Sequence, residues 1–423
     1  MKVIWLSNKP IVDGHKSSGS WFYSLYNLFL DKKPEIELVC LYPSSKKTCV
    51  DLSNGRAYSF KSPTFAKPYS YSKKTESFFS EILATEKPDV IHIWGTEFAF
   101  SLCMVNAAKM NNCLDRVIVH IQGFCFAVAD HMYNLLPNYV IKGSMLKDFL
   151  IGNIARQKKS FEKRGKNEIT LLKTVNNVFG RTNWDKACCS LFNEHINYYY
   201  CGEMLRSQFY EKVWDYSKCE KRSIFISQAS YSLKGLHIFL KAFSLVVSKF
   251  PDSKVYIAGK DITMQNKGTK RLLYLSMYGL YIKHLIKKYK LQQNIFFVGA
   301  LDAENMSEYF KNCNVYVLPS LIENSSNSLG EALMVGTPTI ASYVGGVPDF
   351  IQNNINGFLY PADDAFLLAS LICQLFQSKE KCEMFSANGR EKARKLYDMD
   401  TILDTVLDTY NIIVKQTNAN GTE

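Results

Sequence analysis

The stretch NVYVLPSLIENSSNSLGEALMVGTPTIAS, residues 314–342, decides how the rest of the chain is interpreted. It opens with an apolar run (314–320), crosses a polar loop, enters a helical segment that ends at Gly336, and closes with a second apolar run (337–342). Apolar runs on either side of a helical segment predict two parallel strands joined by a helical crossover. The stretch therefore predicts one βαβ unit.

The same alternation of short apolar runs and helical patterns fills both halves of the chain. It predicts an α/β fold with two Rossmann-like, doubly wound domains facing each other across a cleft. We assign an N-terminal domain to 1–210, a C-terminal domain to 211–395, and a helix packing back on the N-terminal domain to 396–423. The other runs that we interpret as strands are 2–7, 36–42, 90–94, 116–123, 197–201, 222–228, 254–259 and 294–299.

Size and composition exclude several classes of protein. The 423 residues suffice for two or three domains, and 47% of them are hydrophobic, which excludes wholesale disorder. The opening MKVIWLSNKP has the pattern of a first β-strand rather than of a signal peptide, and no apolar run approaches the roughly 20 residues of a membrane span. The 12 cysteines include no C-x-x-C pair, which indicates reduced thiols. We expect a cytoplasmic protein, peripheral on the inner face of the cell membrane if it meets one.

The net charge of +12 indicates an anionic partner such as nucleic acid, lipid or an acidic substrate. No helix-turn-helix, zinc-finger or RNA-binding motif occurs, so we expect no nucleic acid. The basic amphipathic stretch 142–166 is either a solvated face or a contact with an anionic membrane surface. The aromatic and basic stretch 267–283 either adds to that contact or is buried.

Two carboxylates in the opening stretch, Glu323 and Glu331, admit two interpretations. In the first, Ser328 is a helix N-cap and Glu331 completes a capping box, with no ligand involved. That interpretation leaves Glu323 without a role. In the second, the helix N-terminus binds a diphosphate, and the carboxylates on either side accept hydrogen bonds from sugar hydroxyls. A nucleotide sugar has this arrangement, with one sugar at each end of a pyrophosphate.

The motifs around this stretch resemble the retaining glycosyltransferases of family 4, which have the GT-B fold. The resemblance is carried by NVYVLPS, by Glu323-x7-Glu331, and by EALMVGTPTIAS, GGVPDFI and NGFLYP in that order. It continues upstream through KGLHIFLKAF, VYIAG and FFVGALDAENMSEYFKNCNVYV, and so covers nearly all of the second half. The first half matches more loosely, through its opening strand, a glycine-containing loop and PDVIHIWG.

The resemblance implies a role for each matching residue. Glu323 contacts the donor sugar, Glu331 holds the ribose hydroxyls, and Lys234 neutralises the leaving diphosphate. Because a lysine and a helix terminus supply positive charge, we expect no metal and no cofactor. The remaining donor-binding candidates are Gly19, Arg181, Asn324, Ser326, Asn327 and Ser328.

The chain departs from the family pattern at several of these positions. The family's arginine before the Lys-Gly pair is missing, and Arg181 or Arg206 is a candidate replacement. Residues 324–326 are Asn-Ser-Ser where the family has Gly-Phe-Gly, and Asp349 stands where a glutamate is common.

Two strand ends of the first domain carry the other candidates. The family's His-Asp or His-Gly step appears as Gln122-Gly123, so Gln122 and the nearby His120 are candidate catalytic residues. A core histidine is the alternative for His120. Three residues at the end of another strand are acceptor candidates: Gly95, Thr96 and Glu97.

The sequence therefore predicts a glycosyltransferase that moves a sugar from a nucleoside-diphosphate donor to a glycan or lipid-linked glycan acceptor, with retention, in surface polysaccharide synthesis. We expect front-face attack, because no side chain is placed as a nucleophile. Glu323 would orient the donor, and the leaving phosphate would take the acceptor proton. The alternatives are a nucleotide-sugar epimerase of the same fold and a non-catalytic subunit that binds nucleotide sugars.

Overall fold

The computed structural model describes residues 1–11, 21–61, 67–263 and 275–420. The chain forms two compact units. The first consists of Met1–Ala129, Ser160–Met204 and Tyr397–Glu423, and the second of Asp130–Lys159 and Leu205–Leu396. The division after Met204 lies close to the expected boundary at 210. The sequence pattern placed 130–159 with the N-terminal domain, whereas the contacts of this segment place it in the second unit.

The first unit is built on an eight-stranded sheet in the order β3-β4-β2-β1-β5-β6-β7-β8, parallel except for the antiparallel pair β3–β4. Its strands are β1 (Lys2–Leu6), β2 (Glu37–Ser44), β3 (Thr48–Leu52), β4 (Gly55–Lys61), β5 (Val90–Trp94), β6 (Val117–His120), β7 (Asn177–Gly180) and β8 (Asn197–Tyr200). Its helices are α1 (Trp21–Lys32), α2 (Lys73–Glu86), α3 (Ala99–Met110), α4 (Cys125–His131), most of α7 (Ile154–Leu172), α8 (Asn183–Phe192) and α17 (Met399–Asn420), with a 3₁₀ turn at Leu114–Arg116.

The second unit is built on a six-stranded parallel sheet in the order β11-β10-β9-β12-β13-β14. Its strands are β9 (Glu220–Ile226), β10 (Lys254–Ala258), β11 (Ile295–Gly299), β12 (Cys313–Leu318), β13 (Thr339–Ser342) and β14 (Phe358–Tyr360). Its helices are α5 (Asn138–Lys142), α6 (Leu146–Ile151), α9 (Gln208–Glu211), α10 (Leu236–Lys249), α11 (Met277–Lys288), α12 (Ala303–Asn312), α13 (Asn327–Val335), α14 (Val347–Phe350), α15 (Ala365–Gln377) and α16 (Lys379–Leu396), with a 3₁₀ turn at Ser232–Lys234.

The strand order of each sheet reverses once. In the second unit the chain runs from β9 outward to β10 and β11, and then returns to the other side of β9 with β12. In the first unit the same reversal falls between β1 and β5. Ligands of doubly wound sheets bind beyond the carboxyl ends of the strands at such a reversal. The topology therefore singles out the loops after β9 and β12 and the loops after β1 and β5.

The central strands are mostly apolar and buried along their whole length because helices cover both faces of each sheet. All six residues of β12 and all five of β5 are buried. Helix α13 follows β12 and ends at Gly336, whose φ of +87° allows the left-handed turn that closes the helix. The loop between β12 and α13 is therefore held at both ends by buried elements.

The C-terminal helix α17 belongs to the core of the first unit. Ile402, Val406, Tyr410 and Ile413 join a buried apolar cluster that includes Trp5 of β1. No helix in the described parts of the chain has the length and apolar character that crossing a membrane requires.

Candidate functional site

Lys234 and Glu323 meet where the strand order of the second unit reverses. Lys234 ends the 3₁₀ turn after β9, and Glu323 lies in the loop after β12. The Lys234 ammonium group forms an ion pair with Glu323 Oε1, and Ser320 Oγ donates a hydrogen bond to the same oxygen at 2.7 Å. The side chains of Lys234 and Glu323 are 15% and 13% exposed, so both lie at the surface of the unit with limited access to water.

The backbone fixes the two loops against each other. The Leu321 N–H donates to the Leu233 carbonyl at 2.8 Å, and the Gly346 N–H, from the loop after β13, holds the loop of Glu323 by donating to the Glu323 carbonyl at 3.1 Å. Gly235 has a φ of +68°, and a Cβ there would lie 1.7 Å from the Pro319 carbonyl oxygen. The close approach of these loops therefore requires glycine at this position.

The electrostatic surroundings keep Lys234 charged. Burial lowers the pKa of Lys234, but the attraction of Glu323 and of Tyr231 outweighs burial and raises the pKa above its ordinary value. The ammonium group also lies 5.7 Å from the centre of the Tyr231 ring. A partly buried, charged lysine beside a helix terminus is suited to binding a phosphate.

The Glu331 carboxylate contacts Arg206 and does not form the capping box that the sequence allowed. Helix α13 begins at Asn327, and its N-cap residue Ser326 makes no side-chain capping bond. Glu331 Oε1 instead accepts two hydrogen bonds from Arg206, at 2.9 Å from Nε and 2.7 Å from a terminal nitrogen. Burial raises the pKa of the Glu331 carboxyl to about 7, and Arg206 opposes that rise. The structure thus disfavours the capping interpretation of Glu331.

A chain of hydroxyl groups leads from the end of β9 to the first turn of α13. Tyr316, which is fully buried in β12, has its hydroxyl 2.9 Å from Ser227 Oγ and 3.0 Å from Ser328 Oγ. Ser328 Oγ lies 3.1 Å from Ser326 Oγ. Burial raises the pKa of Tyr316 to about 12, so its hydroxyl stays neutral. The chain orients the first turn of α13, where helix amides and the positive end of the dipole favour an anion.

The remaining donor-binding candidates of this unit lie in or beside the same loop. Asn324 is 7% exposed, Ser326 is 6% exposed, and Asn327 is the first residue of α13. The structure therefore brings together Lys234, Glu323, Asn324, Ser326, Asn327, Ser328 and Glu331 at the carboxyl ends of β9 and β12.

The first unit has a cavity of about 120 Å³ at its own strand reversal. Glu97 Oε2 and Gln122 Nε2 are buried there and have no hydrogen-bond partner among the residues that the structure describes. Burial raises the pKa of the Glu97 carboxyl. An aromatic wall with polar groups that lack partners is suited to a hydroxyl-rich ligand. The cavity is lined by Ser7, Asn8, Lys9, Phe22, Trp94, Glu97 and Gln122.

The other two acceptor candidates have mainly structural contacts. Gly95 has a φ of +99°, and its carbonyl accepts a hydrogen bond from Ser101 Oγ at 2.8 Å. Thr96 is 2% exposed and donates its hydroxyl to Glu168 of α7. Burial raises the pKa of Glu168 to about 8, against the hydrogen bonds from Thr96 and the Phe126 amide. Of the three acceptor candidates, only Glu97 lines the cavity.

His120 and Arg181 are buried in the first unit. His120 is 1% exposed and stacks on Trp94, with the ring centroids 4.8 Å apart. Burial holds the pKa of His120 well below its usual range, which favours the interpretation of a core histidine. Arg181 forms an ion pair with Glu203 at 2.6 Å, with both side chains at most 5% exposed. Gly19 lies outside the described residues.

Three contributors to the site were not assigned by the sequence pattern. Ser320 and Ser227 bond to Glu323 and Tyr316, and Tyr316 carries a polar hydroxyl within a fully buried strand. The tyrosine hydroxyl in this strand was the one feature of the sequence that could have indicated these contributors to the site. Arg206 was considered as a replacement for the missing arginine, but its pairing with Glu331, 125 positions away, is a tertiary contact that no local pattern encodes.

Comparison with protein families identifies the part of the chain that carries this site. Residues 208–392 match the family model described as glycosyl transferases group 1. The match contains Lys234, Glu323 and Glu331. It begins two residues after Arg206 and therefore does not include that residue. The chain therefore carries a group 1 glycosyltransferase domain in its second unit.

Individual proteins extend the comparison. The chain is 24% identical over 183 residues to the capsular polysaccharide biosynthesis glycosyltransferase CapM of Staphylococcus aureus, covering 43% of this chain and 44% of CapM. The alignments span about half the length of the curated relatives that the chain matches.

Solved structures match over nearly the whole chain. Sucrose-phosphate synthase from Thermosynechococcus elongatus superposes with a TM-score of 0.73 at 17% identity, covering 98% of this chain and 100% of the synthase. HepE of Anabaena, solved in complex with UDP and glucose, superposes with a TM-score of 0.64 at 14% identity, covering 97% and 99% of the two chains. At these identities the likeness shows the fold, and the expected GT-B fold of two α/β domains with parallel sheets is confirmed.

Proposed function

We propose that the protein is a retaining glycosyltransferase that moves a sugar from a nucleoside-diphosphate sugar to a glycan or lipid-linked glycan in surface polysaccharide synthesis. The observation that carries the proposal is the meeting of Lys234 and Glu323 beside the first turn of α13. A cation, a carboxylate and a helix N-terminus at a strand reversal suit the diphosphate and sugar of such a donor.

In this proposal the second unit binds the donor. The diphosphate takes the place of Glu323 at the Lys234 ammonium group and lies against the first turn of α13, while Glu331 accepts hydrogen bonds from the ribose. Glu323, released from Lys234, accepts hydrogen bonds from the donor sugar. Fixed positive charge then meets the charge that develops on the leaving diphosphate. Lys234 and the helix amides supply that charge, so the proposal invokes no metal ion.

The first unit binds the acceptor in this proposal, with Glu97 and Gln122 accepting and donating hydrogen bonds to its hydroxyl groups. The acceptor oxygen attacks the anomeric carbon on the face from which the diphosphate leaves. The bond from that carbon to the phosphate oxygen breaks, and the same phosphate oxygen takes the acceptor proton. CapM, which acts in capsular polysaccharide biosynthesis by its name, supports a polysaccharide product.

Thermal-shift measurements with a panel of nucleoside diphosphates and nucleotide sugars test donor binding. A ligand that binds the folded state raises the melting temperature, and the best donor is then assayed for sugar transfer. Lys234→Ala lowers the transfer rate by on the order of 100-fold. The matched control is Lys254→Ala, which removes a lysine of the same unit that is paired with Glu220 at 2.7 Å at the opposite ends of the strands.

Three outcomes would contradict the proposal. Equal transfer activity in Lys234→Ala and Lys254→Ala would show that the site at Lys234 takes no part in the reaction. An epimerised donor formed without acceptor identifies an epimerase, and binding of the donor with neither product identifies a non-catalytic subunit. The anomeric configuration of the product, read by NMR, decides between retention and inversion.

A further inference from the structure

Four large apolar side chains are exposed within a short segment of the second unit. Leu135, Tyr139, Leu146 and Phe149 are 53%, 55%, 53% and 65% exposed. Their neighbours Leu136, Val140 and Ile141 are buried, so the segment is anchored to the unit by one face and presents apolar side chains on the other. Clusters of exposed apolar side chains on folded proteins mark interaction sites.

The segment is held in place by specific contacts. Asp148 is 4% exposed, and its Oδ2 accepts hydrogen bonds from the Met145 N–H at 2.9 Å and from the Met277 N–H at 2.8 Å. This carboxylate therefore joins the start of α6 to the start of α11. The rings of Tyr139 and Tyr281 lie 6.2 Å apart, which brings α5 against the same helix. The apolar side chains are thus exposed from a fixed scaffold.

The same segment is positively charged. Residues 130–159 contain five basic residues and two acidic ones, and the carboxylate of Asp148 is buried in its two hydrogen bonds. Lys142, Arg156 and Lys159 are exposed. Burial lowers the pKa of Lys147, and the nearby charge of Lys260 lowers it further. Two lysines close enough to repel each other favour an anion between or beside them.

We infer that the surface formed by Leu135, Tyr139, Lys142, Leu146, Lys147 and Phe149, the apolar–basic surface, docks on an anionic lipid bilayer. The four apolar side chains enter the boundary between headgroups and acyl chains, and the lysines attract the lipid phosphates. Insertion of apolar side chains alone, or attraction of lysines alone, gives only weak attachment to a bilayer. The apolar–basic surface provides both. The inference deepens the proposed function and rests on it for its purpose, because a lipid-linked acceptor is met at a bilayer.

Co-sedimentation with lipid vesicles tests the inference without donor or acceptor, so that its failure is distinct from a failure of glycosyl transfer. The full chain sediments with vesicles of equal parts phosphatidylcholine and phosphatidylglycerol, and binding falls as salt is added. It does not sediment with vesicles of phosphatidylcholine alone. The double variants Leu146→Glu/Phe149→Glu and Lys142→Glu/Lys147→Glu each lower the partition coefficient about tenfold or more.

The matched control is Leu191→Glu, which changes an 80% exposed leucine of α8 in the first unit and leaves the partition coefficient unchanged. Melting temperatures and nucleotide binding that equal those of the unchanged protein show that each variant is folded. Equal sedimentation of the protein and its double variants overturns the inference. Concentration-dependent dimers that Leu146→Glu/Phe149→Glu dissociates, without vesicle binding, overturn it as well and assign the surface to a second copy of the chain.

Discussion

Lys234 and Glu323 neutralise each other in the structure, although the proposed function gives each a different part of the donor to bind. A partly buried ion pair is stabilised by mutual attraction, and removal of one partner leaves the other charge uncompensated. The diphosphate must therefore compete with Glu323 for Lys234. Binding of the anion is weakened by that competition, and the freed carboxylate becomes available to the sugar.

Glu323→Gln tests this competition. We expect the dissociation constant of the nucleoside diphosphate to fall about tenfold, because Lys234 no longer has a carboxylate partner. The rate of sugar transfer falls at the same time, by on the order of 100-fold, because the carboxylate that orients the donor sugar is lost. Calorimetry measures the first quantity and a transfer assay the second.

The control variant Ser320→Ala removes the hydroxyl that bonds to Glu323 and keeps the ion pair with Lys234. It should leave nucleoside diphosphate binding within about twofold of the unchanged protein. Unchanged or weaker nucleoside diphosphate binding in Glu323→Gln would show that the pair does not compete with the ligand.

Arg206 acts through Glu331 and is in this sense a positioning residue. Burial raises the pKa of Glu331 to about 7, so its carboxylate is ionised above pH 7 and protonated below it. An ionised carboxylate accepts the stronger hydrogen bonds, and we expect nucleoside diphosphate binding to weaken as the pH falls through 7. Because Arg206 lowers the pKa of Glu331, Arg206→Ala moves that midpoint to higher pH.

Calorimetric titrations at several pH values check this shift. At pH 7.5 we expect Arg206→Ala to weaken nucleoside diphosphate binding about tenfold, and Arg206→Lys to restore most of it. A uniform loss of affinity with an unshifted pH midpoint would mean that Arg206 supports the fold alone and does not set the ionisation of Glu331.

Individual residues also mark the limit of what local patterns predict. The spacing of Glu323 and Glu331 and the family resemblance predicted a site at α13, and the structure places the candidate residues of the second unit there. The partners of those carboxylates, Arg206 and Lys234, lie 125 and 89 positions away in sequence. Such pairs depend on how the elements pack, which a local sequence pattern does not contain.

At the scale of elements, the site depends on two loops that touch through their backbones. The left-handed φ of Gly235 costs any other residue about 1–2 kcal/mol, and its close approach to Pro319 leaves no room for a methyl group. We expect Gly235→Ala to lower the free energy of unfolding by about 2–4 kcal/mol, measured by urea unfolding.

Gly123→Ala is the matched control, because a Cβ at Gly123 meets no atom within 4 Å in the described structure and no left-handed φ is involved. Its unfolding midpoint should stay near that of the unchanged protein. Equal midpoints for the two alanine variants would show that the approach of the loop at Gly235 to Pro319 does not require glycine.

The elements themselves were predictable where an apolar run is bounded by turn residues. Strand β12 and helix α13 fall within one or two residues of the predicted positions. A strand that is buried on both faces of a parallel sheet consists mostly of apolar residues, and such a run is easily recognised in a sequence. The hairpin of β3 and β4 was not predicted. Four of the five residues of β3 are exposed at the edge of the sheet, so the strand carries no burial pattern that a sequence would show.

At the scale of the whole molecule, neither unit is a single continuous segment of the chain. The segment 130–159 interrupts the first unit and belongs to the second, while α17 follows the second unit in sequence and belongs to the first. Long-range contacts hold both in place: the hydrogen bond that the Met277 N–H donates to Asp148 for the segment, and the bond that Trp5 Nε1 donates to the Tyr410 hydroxyl for the helix.

Tyr410 fixes α17 in the first unit through two buried hydrogen bonds. Trp5 Nε1 donates to the Tyr410 hydroxyl at 3.0 Å, and the same hydroxyl is hydrogen-bonded to His92 Nδ1 at 2.6 Å. Burial holds the pKa of His92 well below the usual range, so the ring stays neutral. Tyr410→Phe leaves two buried ring nitrogens, Trp5 Nε1 and His92 Nδ1, without this partner, which costs about 2 kcal/mol or more.

Hydrogen exchange followed residue by residue locates this loss. We expect the amides of β1 and β5 to exchange faster in Tyr410→Phe by about tenfold or more, since 1.4 kcal/mol corresponds to a factor of ten. Nucleoside diphosphate binding should not change, because Lys234, Glu323 and Glu331 belong to the other unit. Tyr200→Phe, at a half-exposed tyrosine of β8, should alter neither quantity. Unchanged exchange in β1 and β5 would show that α17 is held by its apolar face alone, and that the hydroxyl of Tyr410 contributes nothing to the core it enters.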